Sequence, residues 1–120
     1  MDPITFRITR IYSGPDGESH FDDLYLTMKN QGAIGFLSEE IATKSMILRE
    51  VAPEYDYDFH TAPQSQYVVL LDVGVEIETS DGSARKFLPG EVLLLEDTTG
   101  KGHRTRNPQP KTRRSLFVTI

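Results

Sequence analysis

Short apolar runs broken by turn residues dominate the chain, and that spacing predicts an all-β domain. Ile4, Phe6 and Ile8 alternate with Thr5, Arg7 and Thr9, the period-two pattern of a half-buried strand. Ser13-Gly14-Pro15-Asp16-Gly17 is a turn cluster, residues 20–28 form a second apolar stretch, and residues 29–33 are loop-like. Residues 37–42 have room for one helical turn with Ser38 as its cap. Residues 43–52 read as a strand with Met46, Leu48 and Val51 among its inward positions. Residues 53–63 are polar, aromatic and irregular. The run Tyr67-Val68-Val69-Leu70-Leu71 is rich in β-branched residues and reads as a buried strand. Val75, Ile77 and Thr79 alternate with Glu76, Glu78 and Ser80, and Asp81-Gly82 separates them from Arg85-Lys86-Phe87. That arrangement predicts a hairpin with positive φ at both central residues, and sets the acidic strand across from Arg85 or Lys86. Pro89-Gly90 turns the chain into another buried strand at residues 92–95, and Leu116, Val118 and Ile120 close it. About eight strands and no long helix correspond to a jelly-roll barrel.

The 120 residues suffice for one domain, expected over 1–120, with no internal repeat. Cysteine is absent, which removes disulfides, thiolate metal sites and thiol nucleophiles, and fits a reducing compartment. Met1-Asp2-Pro3-Ile4-Thr5 lacks the basic start and apolar core of a secretory leader, and no apolar run approaches the ~20 residues of a membrane span. The expectation is a soluble cytoplasmic protein. A net charge of -5 argues against a nucleic-acid partner. One basic stretch stands out: Lys101, His103, Arg104, Arg106, Lys111, Arg113 and Arg114. Its plainer reading is a solvated face; the sharper one is a positive field for a small anion.

Two segments carry a resemblance. Gly90, the buried run to Leu95, then Gly100, two residues, His103, three residues and Asn107 resemble the second motif of the cupin superfamily. Glu96-Asp97-Thr98-Thr99 replaces that motif's Pro-x, and the stretch is two residues longer. The first cupin motif is more eroded. His60 stands at its first His, Ala62 at its second, Gln66 at its Glu and Val73 at its closing Gly. The resemblance covers residues 43–120 and implies a double-stranded β-helix, the cupin jelly-roll barrel. It also implies a central site for one divalent metal, of whose usual ligands two survive by residue type.

On that resemblance His60 and His103 face each other across the barrel, with Gln66 beside them; these three are the candidate metal ligands. Gln66 is a weak one, because a neutral amide brings no charge to the cation. Glu96 directly follows a buried strand and is a candidate to turn inward. Asp97 is expected to bond backbone N–H groups near Thr99. Tyr55, Tyr57 and Phe59 line a pocket or fill core, and Tyr57 is counted with the ligand-binding candidates. A regular strand there would put Asp56 and Asp58 on the face of His60, as rim residues or as partners of its ring. Thr98-Thr99-Gly100-Lys101-Gly102 lacks Walker spacing and a following helix, so it reads as a flexible lip rather than a phosphate loop. His20 reads as a surface histidine. No nucleophilic triad is visible.

The expected function is a cupin that binds a small polar or anionic metabolite at His60, Gln66, Glu96, His103 and Tyr57, with a degenerate metal site or none. The alternative is a metal-dependent dioxygenase, isomerase or lyase acting on a small acid or sugar. A third reading is an interaction domain. A homodimer is expected under all three, since pairing covers exposed sheet edges.

Overall fold

The computed structural model describes residues 4–120; residues 1–3, part of the stretch inspected for a leader, lie outside the described residues. Twelve strands are present among the described residues. They are β1 (Thr5–Ser13), β2 (Ser19–Thr27), β3 (Lys29–Asn30), β4 (Phe36–Leu37), β5 (Ser45–Val51), β6 (Asp56–His60), β7 (Gln66–Leu70), β8 (Val75–Thr79), β9 (Ala84–Phe87), β10 (Val92–Glu96), β11 (His103–Arg106) and β12 (Arg113–Thr119). One 3-10 turn spans Gly32–Ile34, and no helix is long and apolar enough to cross a membrane.

A larger sheet has the order β2-β1-β10-β7-β12-β5, and a smaller one the order β6-β11-β8-β9. From β5 onward the chain passes back and forth between the two, so β5 to β12 form an eight-stranded double-stranded β-helix, the cupin jelly-roll barrel. β1 pairs in parallel with β10 and carries β2 at the edge of the larger sheet. The sequence pattern marked about eight strands but passed over β6 and β11, whose inward positions are polar.

The larger sheet is apolar on both faces. Inside, Ile11, Leu70 and Leu93 meet Val75, Ile77 and Phe87 of the smaller sheet to form the core; each fully buried aliphatic side chain contributes roughly 1.5–3 kcal/mol. Outside, Phe6, Ile8, Val69 and Val118 line a groove covered by Phe36 and Ile41 from the segment between β2 and β5. This second apolar face misdirects the alternation. The Ile4-Phe6-Ile8 and Leu116-Val118 rows lie on the outer side, while Ile11 and Phe117 pack inward.

The same holds for β5. Met46 and Leu48 are 64% and 75% exposed, whereas pairing of Ile47 with Phe117 and Arg49 with Ser115 puts the odd-numbered positions on the inner face. The expected helical turn at 37–42 is absent. Leu37 pairs with Lys29 in a β-bridge, and the Ser38 hydroxyl donates to the Glu39 carbonyl instead of capping a helix.

The β8–β9 hairpin forms with Glu76 opposite Lys86. Its turn differs from the expectation: only Gly82 has positive φ, 94°. Asp81 closes the loop by accepting from the Thr79 hydroxyl at 2.6 Å and the Ser83 N–H at 3.1 Å, which removes the need for a two-residue turn.

Candidate ligand-binding site

The barrel encloses a cavity of about 330 Å³. Its floor is aliphatic, with Val68, Leu70, Leu93 and Leu95 from β7 and β10, and its polar wall holds His60, Gln66, His103, Arg49 and Arg113. Strand alternation accounts for the wall, since each of these residues lies on the inward face of its strand.

His60 and His103 are brought together by β6–β11 pairing, in which the two residues are register partners. Their ring centroids are 4.7 Å apart. An irregularity in the pairing lies between His103 and Thr105, whose partner is Tyr57 rather than Asp58. This β-bulge shifts the alternation. His60 therefore shares its face with Tyr57, at 3.8 Å between ring centroids, and not with Asp56 and Asp58. Asp56 pairs with Arg104 at 2.9 Å, and Asp58 supplies its carbonyl to His60 Nδ1 at 2.8 Å. Tyr55 and Tyr57 line the cavity, while Phe59 is exposed.

Hydrogen bonding fixes the tautomer of His60. A carbonyl only accepts, so Nδ1 carries the proton and Nε2 keeps its lone pair. His103 Nδ1 meets Asp97 Oδ2 at 2.5 Å, which likewise leaves its Nε2 without a protein partner among the described residues. Burial lowers the His60 pKa below its usual value; the Asp58 carbonyl raises it, and nearby His103 lowers it further. The ring thus favours the neutral form.

Asp97 corrects its expected role. It is fully buried, it holds His103, and its Oδ1 has no partner. Glu96, a ligand-binding candidate in the sequence, is not part of the wall. Leu93 and Leu95 take the inward positions of β10, so Glu96 turns outward and pairs with Arg10 at 2.6 Å. Gln66 is buried in the wall, and its amide makes no hydrogen bond with the described residues. Ala62 occupies the second-His position and also lines the cavity.

The lip is anchored. Ser19 donates to the Gly102 carbonyl at 2.7 Å, Ser13 donates to the Thr99 carbonyl at 2.8 Å, and Lys101 bonds Glu18 at 2.5 Å.

The donor set does not fit the four-ligand metal centre implied by the resemblance. Two imidazoles and a neutral amide are present, Ala62 has no donor, Asp97 is engaged by His103, and Glu96 faces away. No group of three His, Cys, Asp or Glu able to hold a metal occurs among the described residues.

Sequence reasoning missed Arg49 and named Arg113 only as one member of the basic stretch. The basic stretch was read as a solvated face, which holds for Arg104, Arg106 and Arg114, each paired with a surface carboxylate. Arg113 instead points inside and is 1% exposed. Its Nε donates to Asn107 Oδ1 at 2.8 Å. Asn107, the closing residue of the second motif, also donates to the carbonyls of Ala52 and Lys111. The signal was available in the alternation of Arg113, Ser115, Phe117 and Thr119, obscured by the apolar row between them.

Fold and cavity together define a cupin-type jelly-roll barrel with a polar interior wall. No protein-family model matches the chain, and no curated protein matches it. Among solved structures it is similar to protein NMB1881 from Neisseria meningitidis, at 16% identity over 62% of this chain and 71% of that one, with a TM-score of 0.51. It is also similar to a putative ethanolamine utilization protein Q from Salmonella typhimurium LT2, at 15% identity over 98% and 94% of the two chains, with a TM-score of 0.44. The first likeness is one of fold.

Proposed function

We propose that the protein binds a small polar molecule in the barrel cavity, held by His60, His103, Gln66 and Tyr57. The observation that carries this reading is the pair of imidazoles 4.7 Å apart, each with Nδ1 engaged and Nε2 free, on the wall of a 330 Å³ cavity. Pockets for small ligands have this size and this mixture of an apolar floor with a few polar groups. A core filled for stability alone would not leave a buried polar atom such as Arg113 Nη2 without a partner at the cavity wall, because unpaired buried polar groups cost free energy.

One observation favours the second reading, a metal-dependent enzyme acting on a small acid or sugar. The Asp97–His103 bond is the kind of contact that orients metal-bound imidazoles. Elemental analysis of the purified protein separates the two readings. Metal well below one equivalent supports the binding reading, and a stoichiometric metal lost in the His60→Ala/His103→Ala double variant supports the enzyme. A fragment screen read by the ring C–H signals of His60 and His103 tests the pocket itself. Fragments are expected to perturb both rings; hits confined to other faces would sink the proposal.

A further inference from the structure

The chain contains eight arginines. Six face a carboxylate: Arg7–Glu91, Arg10–Glu96, Arg85–Asp23, Arg104–Asp56, Arg106–Glu76 and Arg114–Glu50. The other two, Arg49 and Arg113, have no carboxylate partner among the described residues, and they are the two arginines that line the cavity.

Their placement follows from the sheet. β5–β12 pairing sets Arg49 opposite Ser115 and Arg113 opposite Val51, so the arginines are diagonal neighbours on the inner face. Arg113 is buried, and its Nη2 has no hydrogen-bond partner; neither has the Ser115 hydroxyl. Arg49 Nη2 donates to the Tyr55 hydroxyl at 2.8 Å, and both guanidinium groups pack on the Tyr55 ring, at 5.0 and 5.4 Å from its centroid. An aromatic face compensates a buried cation only partly. Burial, and then Arg49, push the Arg113 pKa down to about 10, so it still carries its charge at neutral pH. Two cations are thus held close together on the cavity wall with no carboxylate at ion-pair distance, Asp72 acting on Arg113 only from further off, an arrangement that costs stability in the empty protein.

We infer that the cavity ligand carries an oxyanion, a carboxylate or a phosphate, clamped by Arg113 and Arg49, with the rest of the molecule reaching toward His60 and His103. This inference rests on the reading of the cavity as a ligand site. A guanidinium offers planar paired donors to such a group, and the bonds are charge-assisted. The aliphatic floor then suits the carbon skeleton of a small organic acid or phosphate ester.

The test uses acetate, succinate, inorganic phosphate and glycerol phosphate as probes, with acetamide and succinamide as neutral isosteres and chloride holding ionic strength constant. Binding is read by thermal melting and by the Arg113 Nε–H and histidine ring signals. Acids should raise the Tm and shift the Arg113 signal, with the amides roughly tenfold or more weaker. The stronger arm, carboxylate or phosphate, identifies the group. Arg113→Met should weaken acid binding tenfold or more while leaving the Tm of the ligand-free protein unchanged or higher, since it removes a buried charge that has no ion-pair partner. If that variant does not fold, Arg49→Gln carries the same binding test. Amides that perturb the histidines as strongly as acids do would overturn the charge assignment and leave the pocket standing. Probes that leave the cavity signals unmoved would overturn both. Lower stability with unchanged acid affinity in Arg113→Met would mark the arginine as structural and end the inference.

Discussion

Asp97 and His103 are joined by a 2.5 Å hydrogen bond between two side chains that are 0% and 3% exposed. The bond fixes the His103 ring and leaves Nε2 as the nitrogen available to a ligand. Removing the carboxylate strands the ring N–H in a dry environment, so Asp97→Ala should destabilise the fold by roughly 2–4 kcal/mol. Asp97→Asn keeps an acceptor of similar shape and should cost less. Urea unfolding of both variants measures the difference, and equal stability of all three proteins would show that the bond contributes nothing.

His60 and His20 should impose opposite pH dependences on stability. Burial is the first cause of the lowered His60 pKa; the Asp58 carbonyl and Asp97 raise it, and His103 and Arg49 lower it. Its contribution is complete above the unfolded value near 6.5 and is lost as the pH falls toward the folded value. The pKa of His20 is raised, first by its hydrogen bond with Asp16 and then by the charges of Asp16 and Asp81. Its contribution is complete below about 6.5 and is lost as the pH rises through the folded value. Urea midpoints between pH 5 and 8 should therefore fall less toward acid in His60→Gln, and fall less toward alkali in His20→Gln. The same slope in either variant as in the parent would contradict that histidine's assignment.

What the sequence disclosed divides along a physical line. Strands with one apolar face and one charged face were legible: β8 with Val75, Ile77 and Thr79 inward, and its hairpin with β9, appear where the alternation puts them. Strands of the larger sheet misled, because their outer face is also apolar; Met46 and Leu48 on β5 and Val118 on β12 outweigh the inward Arg49, Arg113 and Ser115. The strands that build the site, β6 and β11, resembled loops because Tyr57, His60, His103 and Thr105 occupy their inward positions. His60, Gln66 and His103, singled out through motif positions, and Tyr57 all line the cavity. Asp97 was misjudged because nothing in a linear pattern shows a carboxylate folding back onto a ring six residues later.

Glu96 provides a control for the placement of the site. Its ion pair with Arg10 has about a third of each side chain exposed, at 32% and 33%. Solvent-screened pairs of this kind are worth about 0.2–1 kcal/mol. Glu96→Gln should cost no more than that and leave fragment binding at His60 and His103 unchanged. A large loss of binding in this variant would put the carboxylate back among the groups that contact the ligand.

Gly102 sets how closely the lip approaches β6. Its φ is +73°, and a Cβ added there would lie 1.9 Å from the carbonyl oxygen of His60 and 2.6 Å from the Thr61 nitrogen. Both obstacles are backbone, so neither can rotate away. Left-handed geometry alone costs a non-glycine residue about 1–2 kcal/mol, and relief of the clash must move either the lip or β6. Moving the lip pulls on the Ser19–Gly102 bond, and moving β6 displaces His60 from its partner His103. Gly102→Ala should therefore lower stability by more than the conformational cost and broaden the ring signals of both histidines. Alanine at Gly82 provides the comparison: its φ is +94°, but nothing lies within 4 Å of an added Cβ. That variant should lose only the conformational part, with the His60 and His103 signals unmoved. Equal losses in the two variants, with undisturbed histidines in both, would show that the lip does not hold the site.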